Sequence, residues 1–381
     1  MRFVIVGSGW RSLYYVRIAR ALPEKFELCA MLCRTKEKAE RIAKGHGIYT
    51  TTSIEECREM KPDFVVVAVD KASIARVSIE WMDYGFAVLC ETPAGVELLD
   101  LNALWRFHEQ GKKLVVAEQY MYYPRYYAML KVLRENLIGE PYNVNVSLAH
   151  EYHGASLIRA FLEEEAGTPF TVSGKTYTFP TCETLNRYER FLDGRVSNKN
   201  RVVATFEFED GKTAWYDFNS EQYRSTIRNN FVKAEGQKGQ LMNDRVNFLG
   251  DDFLDWSGVF RTVENHVVTG NPNPNLYRVN EIEKIVFCRE KKDVYGKVID
   301  SGETVVYEAY FGKCGLGEDE TAIAKVMEQT YEYAVNPAQE VLKRQTDALR
   351  NALQDAYMAL LMQQALDTGK QIVSERQVWQ G

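Results

Sequence analysis

The sequence predicts an α/β N-terminal domain with a doubly wound parallel sheet, followed by an α+β domain built on a mostly antiparallel sheet. Three observations predict it. Short strands alternate with helices from Arg2 to Ala117. The run Phe64-Val65-Val66-Val67-Ala68-Val69 is continuously apolar, as a strand covered on both faces must be. Beyond residue 120 the texture changes to longer alternating runs, punctuated by Asp210-Gly211 and by Gly236 to Gly239.

Arg2 to Val6 reads as the first strand, and a glycine-containing turn leads into a helical pattern through Leu13, Val16, Ile18 and Leu22 that Pro23 stops. Phe26 to Cys33 is the second strand, and the charged helix Lys36 to Lys44 closes the first βαβ unit. The strand Phe64 to Val69, a helix from Ser73 to Tyr84, the strand Ala87 to Cys90, a helix from Leu98 to Gln110 and the strand Leu114 to Ala117 repeat the theme. A helix from Tyr126 to Asn136 opens the second domain. Strands are expected at Tyr142 to Ala149, Val202 to Glu209, Lys212 to Asn219, Phe231 to Glu235 and Gln240 to Leu249, with Asp210-Gly211 as a hairpin turn. Two helices follow Gly317, the second with Leu342, Leu349, Leu353, Ala356 and Leu360 on one stripe and Gly369 as its C-cap. The expected domains are residues 1–120 and 121–381.

At 381 residues, 45% hydrophobic and 26% charged, the composition is that of a globular protein with a large core. No window approaches the roughly 20 apolar residues of a membrane span, and Met1 leads directly into a strand, so a cytoplasmic protein without a membrane partner is expected. The 7 cysteines are scattered without a C-x-x-C pair or histidines at ligand spacing. They read as reduced thiols with no metal. A net charge of -6 with interspersed signs leaves no footprint for nucleic acid, so a small-molecule substrate is the expected partner.

The turn after the first strand reads Gly7-Ser8-Gly9-Trp10-Arg11-Ser12. In a Rossmann βαβ unit the first glycine permits the tight turn and the second lets the backbone approach a pyrophosphate, which the helix N-terminus then binds. Gly7 and Gly9 fit those roles, and Ser12 is small enough for the close-packed third position. The strand–turn–helix setting raises a weak pattern to a good one; a cofactor-free βα turn is the competing reading. At the end of the second strand, where an acidic residue usually binds the adenosine ribose, the chain has Cys33-Arg34-Thr35. A cation and a hydroxyl there favour NADP over NAD. The alternative is that Arg34 is a solvated helix-start residue or stacks on the adenine.

The chain resembles the glucose-fructose oxidoreductase and inositol dehydrogenase family (Gfo/Idh/MocA). Carrying the resemblance are the strand Val65 to Val69, the segment Gly85 to Pro93 leading to Glu91-Thr92-Pro93 where the family has Glu-Lys-Pro, and Ala117-Glu118-Gln119-Tyr120 through Pro124. Gly139-Glu140-Pro141 and Gly236-Gln237-Lys238-Gly239 extend it into the second domain. The resemblance implies an N-terminal Rossmann domain and a C-terminal domain with a large, open, mostly antiparallel sheet that often serves oligomerisation. A homodimer or homotetramer is therefore expected. It further implies hydride transfer between a nicotinamide and a carbinol carbon of a sugar, polyol or related molecule. Glu91 and Pro93 would border the nicotinamide, and Gln119 would lie against the cofactor. Three departures stand out. The family's downstream Asp-x-x-x-His pattern is not evident where the chain reads His150 to Arg159. Val69-Asp70 replaces the usual Thr-Pro, and Thr92 replaces the motif lysine, offering a hydroxyl that can orient a substrate but cannot move a proton near neutrality.

Of 5 histidines, His150 and His153 fall at the end of the first second-domain strand, where the family's substrate site forms. Imidazole suits the proton transfer that accompanies hydride transfer. His153 is the first candidate acid/base and His150 the second, against the reading that either is a satisfied strand-end histidine. Arg159 could bind a carboxylate or vicinal hydroxyls, or form a surface ion pair. Tyr120, within a tyrosine-rich segment, is the candidate aromatic at the site. Two other functions stay open on account of Thr92: a cofactor-assisted glycosidase or lyase that uses transient oxidation, and a non-catalytic dinucleotide-binding regulator.

Overall fold

The computed structural model describes residues 1–186, 188–223, 225, 227–269 and 278–380. In chain order the elements are β1 (Arg2–Val6), α1 (Ser12–Ala21), β2 (Glu27–Leu32), α2 (Lys36–His46), β3 (Thr50–Thr51), α3 (Ile54–Glu59), β4 (Phe64–Val67), α4 (Ile74–Asp83), β5 (Ala87–Cys90), α5 (Leu98–Glu109) and β6 (Leu114–Val116). Then come α6 (Pro124–Leu133), β7 (Pro141–Ser147), α7 (Glu151–Leu162), β8 (Phe170–Cys182), β9 (Val196–Phe208), β10 (Thr213–Asn219), β11 (Phe231–Gly236), β12 (Gly239–Met242) and β13 (Arg245–Leu249). β14 (Asp255–Val268), β15 (Arg278–Lys292), β16 (Val298–Glu308), α8 (Glu318–Val335), α9 (Gln339–Thr368) and β17 (Ile372–Val373) complete the chain. No helix of the described residues is long and apolar enough to cross a membrane.

The chain forms two units. Residues 1–119, 319–357 and 377–381 make the first; residues 120–318 and 358–376 make the second. The division is therefore not a single cut near residue 120, because nearly all of α8 and α9 up to residue 357 return to the first unit. Their apolar stripe explains it: Ile323, Ala324, Met327, Leu349 and Leu353 are essentially inaccessible to solvent. Polar ties accompany them, with Lys113 Nζ donating to Ala334 O at 2.8 Å and His108 Nε2 3.1 Å from Thr346 Oγ1.

The first unit holds a six-stranded sheet in the order β3-β2-β1-β4-β5-β6, with every pairing parallel. That order reverses direction between β1 and β4, which is the doubly wound arrangement. β4 and β5 are buried at every position, as strands covered on both faces require, and Phe3 stacks on Phe64 at 5.6 Å across the β1–β4 pair. The strand expected to run to Val69 stops at Val67. Helix starts follow local chemistry: Ser53 Oγ caps α3 by accepting from Glu56 N at 3.2 Å, and Gly47 ends α2 in the left-handed region with φ 54°.

The second unit contains an eleven-stranded sheet among the described residues, ordered β16-β15-β14-β13-β12-β11-β7-β10-β9-β8-β17, in which β7 and β10 pair in parallel and the remaining pairs are antiparallel. The Asp210-Gly211 hairpin joins β9 to β10, and Gly236 opposes Gly239 at the second turn. The run Gln240 to Leu249, expected as one strand, is two, because Asn243 adopts φ 51° and its Oδ1 accepts from Val232 N at 2.9 Å. Helix α7 packs on β7 and buries ten of its twelve residues.

Candidate functional site

The phosphate turn connects β1 to α1 at the point where the strand order reverses. Gly7 has φ 111°, and a Cβ there would lie 2.2 Å from Ala68 O and 3.3 Å from Val69 Cγ1. Glycine is thus imposed by β4's neighbouring loop. Gly9 differs. A Cβ on it would meet nothing within 4 Å, so nothing in the chain itself requires glycine there. Ser12 is fully buried as α1 begins, and its small side chain permits that approach. The helical ladder opens with Leu13 N to Trp10 O at 3.2 Å and Tyr14 N to Arg11 O at 3.0 Å, so the N–H groups before Leu13 precede any carbonyl of the helix. These residues fit a dinucleotide: glycine with open space above it, at a helix N-terminus, on a switch point.

Gly7 N donates to Leu32 O at 3.1 Å, which brings the turn against the end of β2; the Cys33 thiol follows that strand. Burial pushes that thiol up from its ordinary range. Arg34 is exposed beside it, and Thr35 caps α2, its Oγ1 accepting from Lys38 N at 3.3 Å. An exposed guanidinium and a helix N-terminus therefore share the place where an adenosine 2′-substituent is read. Asp70 serves the local backbone, since its Oδ1 accepts from Ser73 N at 3.1 Å and Ser73 Oγ at 3.0 Å at the head of α4. Trp10 lies edge-on to Tyr14 with centroids 5.4 Å apart and is 37% exposed.

Arg11 turns away from solvent. Its Nε donates to Glu91 Oε1 at 2.7 Å and its Nη1 to Asp319 Oδ2 at 2.9 Å. Tyr15 donates its hydroxyl to the same Glu91 oxygen at 2.6 Å. Burial would lower the Arg11 pKa, but Asp319 and Glu91 outweigh it and hold the guanidinium well above its usual value. Burial and the Glu91 charge drive the Tyr15 hydroxyl up in turn. Gln119 Nε2 reaches Asp319 Oδ1 at 3.2 Å. Thr92 is half-buried and Pro93 buried after β5, and the Thr92–Pro93 peptide is cis.

In the second unit, the chain gathers Tyr120, His150 and His153. Tyr120 packs on His153 with centroids 4.4 Å apart, and Tyr152 lies 4.4 Å from His153 on another side. His150 precedes α7 as its N-cap residue; its Nδ1 meets the Tyr223 hydroxyl and its Nε2 lies 3.1 Å from the Tyr152 hydroxyl. Glu151 takes a left-handed φ of 42°, with its N–H donated to Tyr216 Oη at 2.9 Å. Both histidines belong to the start of a helix rather than a strand end. The same helix carries Arg159 away from His153: six residues on is about one-third of a turn off its face and about 9 Å along the axis. Arg159 is buried and donates to Glu164 O at 3.0 Å.

Sequence reasoning missed four participants. Tyr152 sits between the two candidate histidines and was visible in principle. Tyr15 follows the turn by helical spacing. Tyr223 and Asp319 carry no sequence signal, since only folding brings them to His150 and Arg11.

A parallel sheet in this order, with a glycine turn at its switch point and an α+β unit following, defines a dinucleotide-binding α/β protein. Residues 1–119 match the model of the Gfo/Idh/MocA family, described as an oxidoreductase family with an NAD-binding Rossmann fold. Among curated proteins no sequence matches the chain. Solved structures share its fold throughout. An NAD-binding oxidoreductase from Klebsiella pneumoniae is similar with TM-score 0.63 and 13% identity over 99% of this chain and 100% of that one. An oxidoreductase from Agrobacterium radiobacter, in complex with NAD+, L-tartaric acid and magnesium, is similar with TM-score 0.62 and 12% identity over 98% of each chain. The WlbA dehydrogenase from Bordetella pertussis, in complex with NADH and UDP-GlcNAcA, is similar with TM-score 0.60 and 13% identity over 99% of each chain.

Proposed function

We propose that this protein is an NAD(P)-dependent oxidoreductase that moves a hydride between a nicotinamide and a carbinol carbon of a sugar, polyol or related small molecule. The observation that carries the reading is Gly9, a glycine with no packing reason to be one, held over the α1 N-terminus in a segment that matches the NAD-binding family. The dinucleotide, when bound, supplies the hydride chemistry. Gly7, Gly9 and the α1 N-terminus would hold its pyrophosphate, while Ser8, Cys33, Arg34 and Thr35 would face its adenosine half. The exposed Arg34 and the absence of an acidic residue at positions 33–35 favour NADP over NAD.

For the proton we assign His153 first and His150 second. The two phenols around His150 support this, because they orient the ring, and Tyr120 flanks His153 as an aromatic wall. Carbohydrate chemistry is supported by the solved structure that carries UDP-GlcNAcA with NADH on this fold. Thr92 favours one second reading, a cofactor-assisted elimination or glycoside cleavage, since a hydroxyl orients a substrate without moving its proton.

We also infer a homodimer or homotetramer formed through the second unit's sheet. The strand registers put Tyr177, Phe179, Trp215, Met242, Val259 and Val263 on one face, each at least 36% exposed. A cytoplasmic location is supported by seven free cysteines. The deciding experiment titrates the purified protein with NADH and NADPH and then follows nicotinamide absorbance over a polyol and sugar panel. Turnover supports the dehydrogenase. Dinucleotide released only on denaturation, without net redox turnover, favours the elimination reading, and failure to bind either cofactor defeats both.

A further inference from the structure

Arg11 stands in the glycine turn, where a guanidinium is expected to grip phosphate, yet its side chain is 15% exposed and its Nε and Nη1 are engaged by carboxylates. It meets Glu91 at 2.7 Å and Asp319 at 2.9 Å, and its guanidinium lies 4.8 Å from the Tyr14 ring centroid. Two carboxylates share one guanidinium. Both therefore lie within one side chain's length of the α1 N-terminus, the anion-binding end of that helix. Stripped of Arg11, they would oppose any dianionic pyrophosphate placed there. Asp319 is also where the chain re-enters the first unit, and Gln119, the last residue before it leaves, donates to that same carboxylate at 3.2 Å.

We infer that Arg11 acts in dinucleotide binding as a positioning residue: it neutralises Glu91 and Asp319 beneath the phosphate turn and ties the turn to β5 and α8, without itself contacting phosphate. The inference rests on the dinucleotide reading above. It separates two roles that the sequence leaves merged, since a phosphate ligand cannot be replaced by removing its counter-charges, whereas a charge mask can.

The test titrates the full-length protein with NADPH and NADH, followed by fluorescence at low and high salt, with thermal melting in parallel. Arg11→Met is expected to weaken binding by about tenfold or more, and the loss should shrink with salt as the exposed carboxylates are screened. The compensated variant Arg11→Met/Glu91→Gln/Asp319→Asn is expected to recover most of that loss. Glu91→Gln/Asp319→Asn with Arg11 intact should bind at least as tightly as the unmodified chain, which keeps the test decisive if Arg11→Met does not fold. A compensated variant as weak as Arg11→Met, or a Glu91→Gln/Asp319→Asn protein weaker than the unmodified chain, overturns the inference alone. An unmodified protein that binds neither dinucleotide overturns the reading and the inference together.

Discussion

Arg11 Nε lies 2.7 Å from Glu91 Oε1, joining the turn after the first strand to the end of the fifth. Glu91 accepts from the Tyr15 hydroxyl and from Thr92 N as well, so its carboxylate anchors three donors and is committed to structure rather than to proton transfer. Glu91→Ala leaves the Tyr15 hydroxyl without that acceptor in the core and halves the anionic pairing of Arg11. We expect it to lower the unfolding free energy by about 3 kcal/mol, measured by denaturant titration, because a buried pair loses one partner. Glu91→Gln, which keeps an acceptor for Tyr15, should cost markedly less.

The two glycines of the turn should fail in different ways. Gly7→Ala puts a methyl group 2.2 Å from Ala68 O at a φ of 111°, so a lowered melting temperature is expected whether or not cofactor is present. Gly9→Ala meets nothing in the chain. It should melt like the unmodified protein and bind dinucleotide at least tenfold more weakly (about 1.4 kcal/mol). Equal affinity in Gly9→Ala would remove the main support for a pyrophosphate at this turn.

Arg34 reports on the cofactor's 2′-position. Arg34→Ala is expected to weaken NADPH by roughly tenfold while leaving NADH within about twofold, since a charge-assisted contact to phosphate is worth on the order of 1.5 kcal/mol or more. An equal loss for both would make Arg34 an adenine-stacking or helix-start residue.

His108 gives a pH signature. Burial between the Trp105 ring and Thr346 disfavours its charged form, so its pKa in the folded protein lies below the ordinary 6.5. On acidification the unfolded chain takes up this proton first. The contribution is therefore intact above about pH 6.5 and is lost as pH falls from there through the lower folded value. His108→Gln should flatten the melting-temperature profile between pH 7 and 5 relative to the unmodified protein; identical slopes would show that the ring titrates normally.

Thiol labelling should separate the cysteines by burial. Cys57 and Cys90 are inaccessible, and burial pushes both thiols up to about 12. They should resist a disulfide reagent at pH 8 until the protein unfolds, whereas the exposed Cys182 should react at once. Rapid native-state labelling of Cys90 would mean that β5 opens readily.

The acid/base assignment is tested by His153→Ala and His150→Ala, singly and together. Turnover should fall at least a hundredfold for His153→Ala and less for His150→Ala. Unchanged turnover in the double variant would move the proton transfer elsewhere.

The main strands and helices between Arg2 and Val116 were legible in the sequence, because buried parallel strands are apolar runs and their helices are amphipathic: Ala87–Cys90 was bounded without error, whereas the two-residue strand β3 and the short helix α3 were too brief to show a period. The second unit was legible where turns punctuate it. The long strands β8, β14, β15 and β16 were not, since they carry charged and exposed residues on much of their length and lack a clean alternation. Helix α7 was missed as a definite element because Gly154 and two histidines dilute its pattern.

The sequence alone determined the turn, the hairpins and the β–α alternation, which depend on residues within a few positions of one another. Only the tertiary structure decided that nearly all of α8 and α9 up to residue 357 complete the first unit, that His150 is held by Tyr223, and that Arg11 is held by Asp319 across 308 residues. Those pairings depend on which surfaces are buried together. Burial turns ordinary carboxylates and phenols into partners, and no local pattern in the chain encodes it.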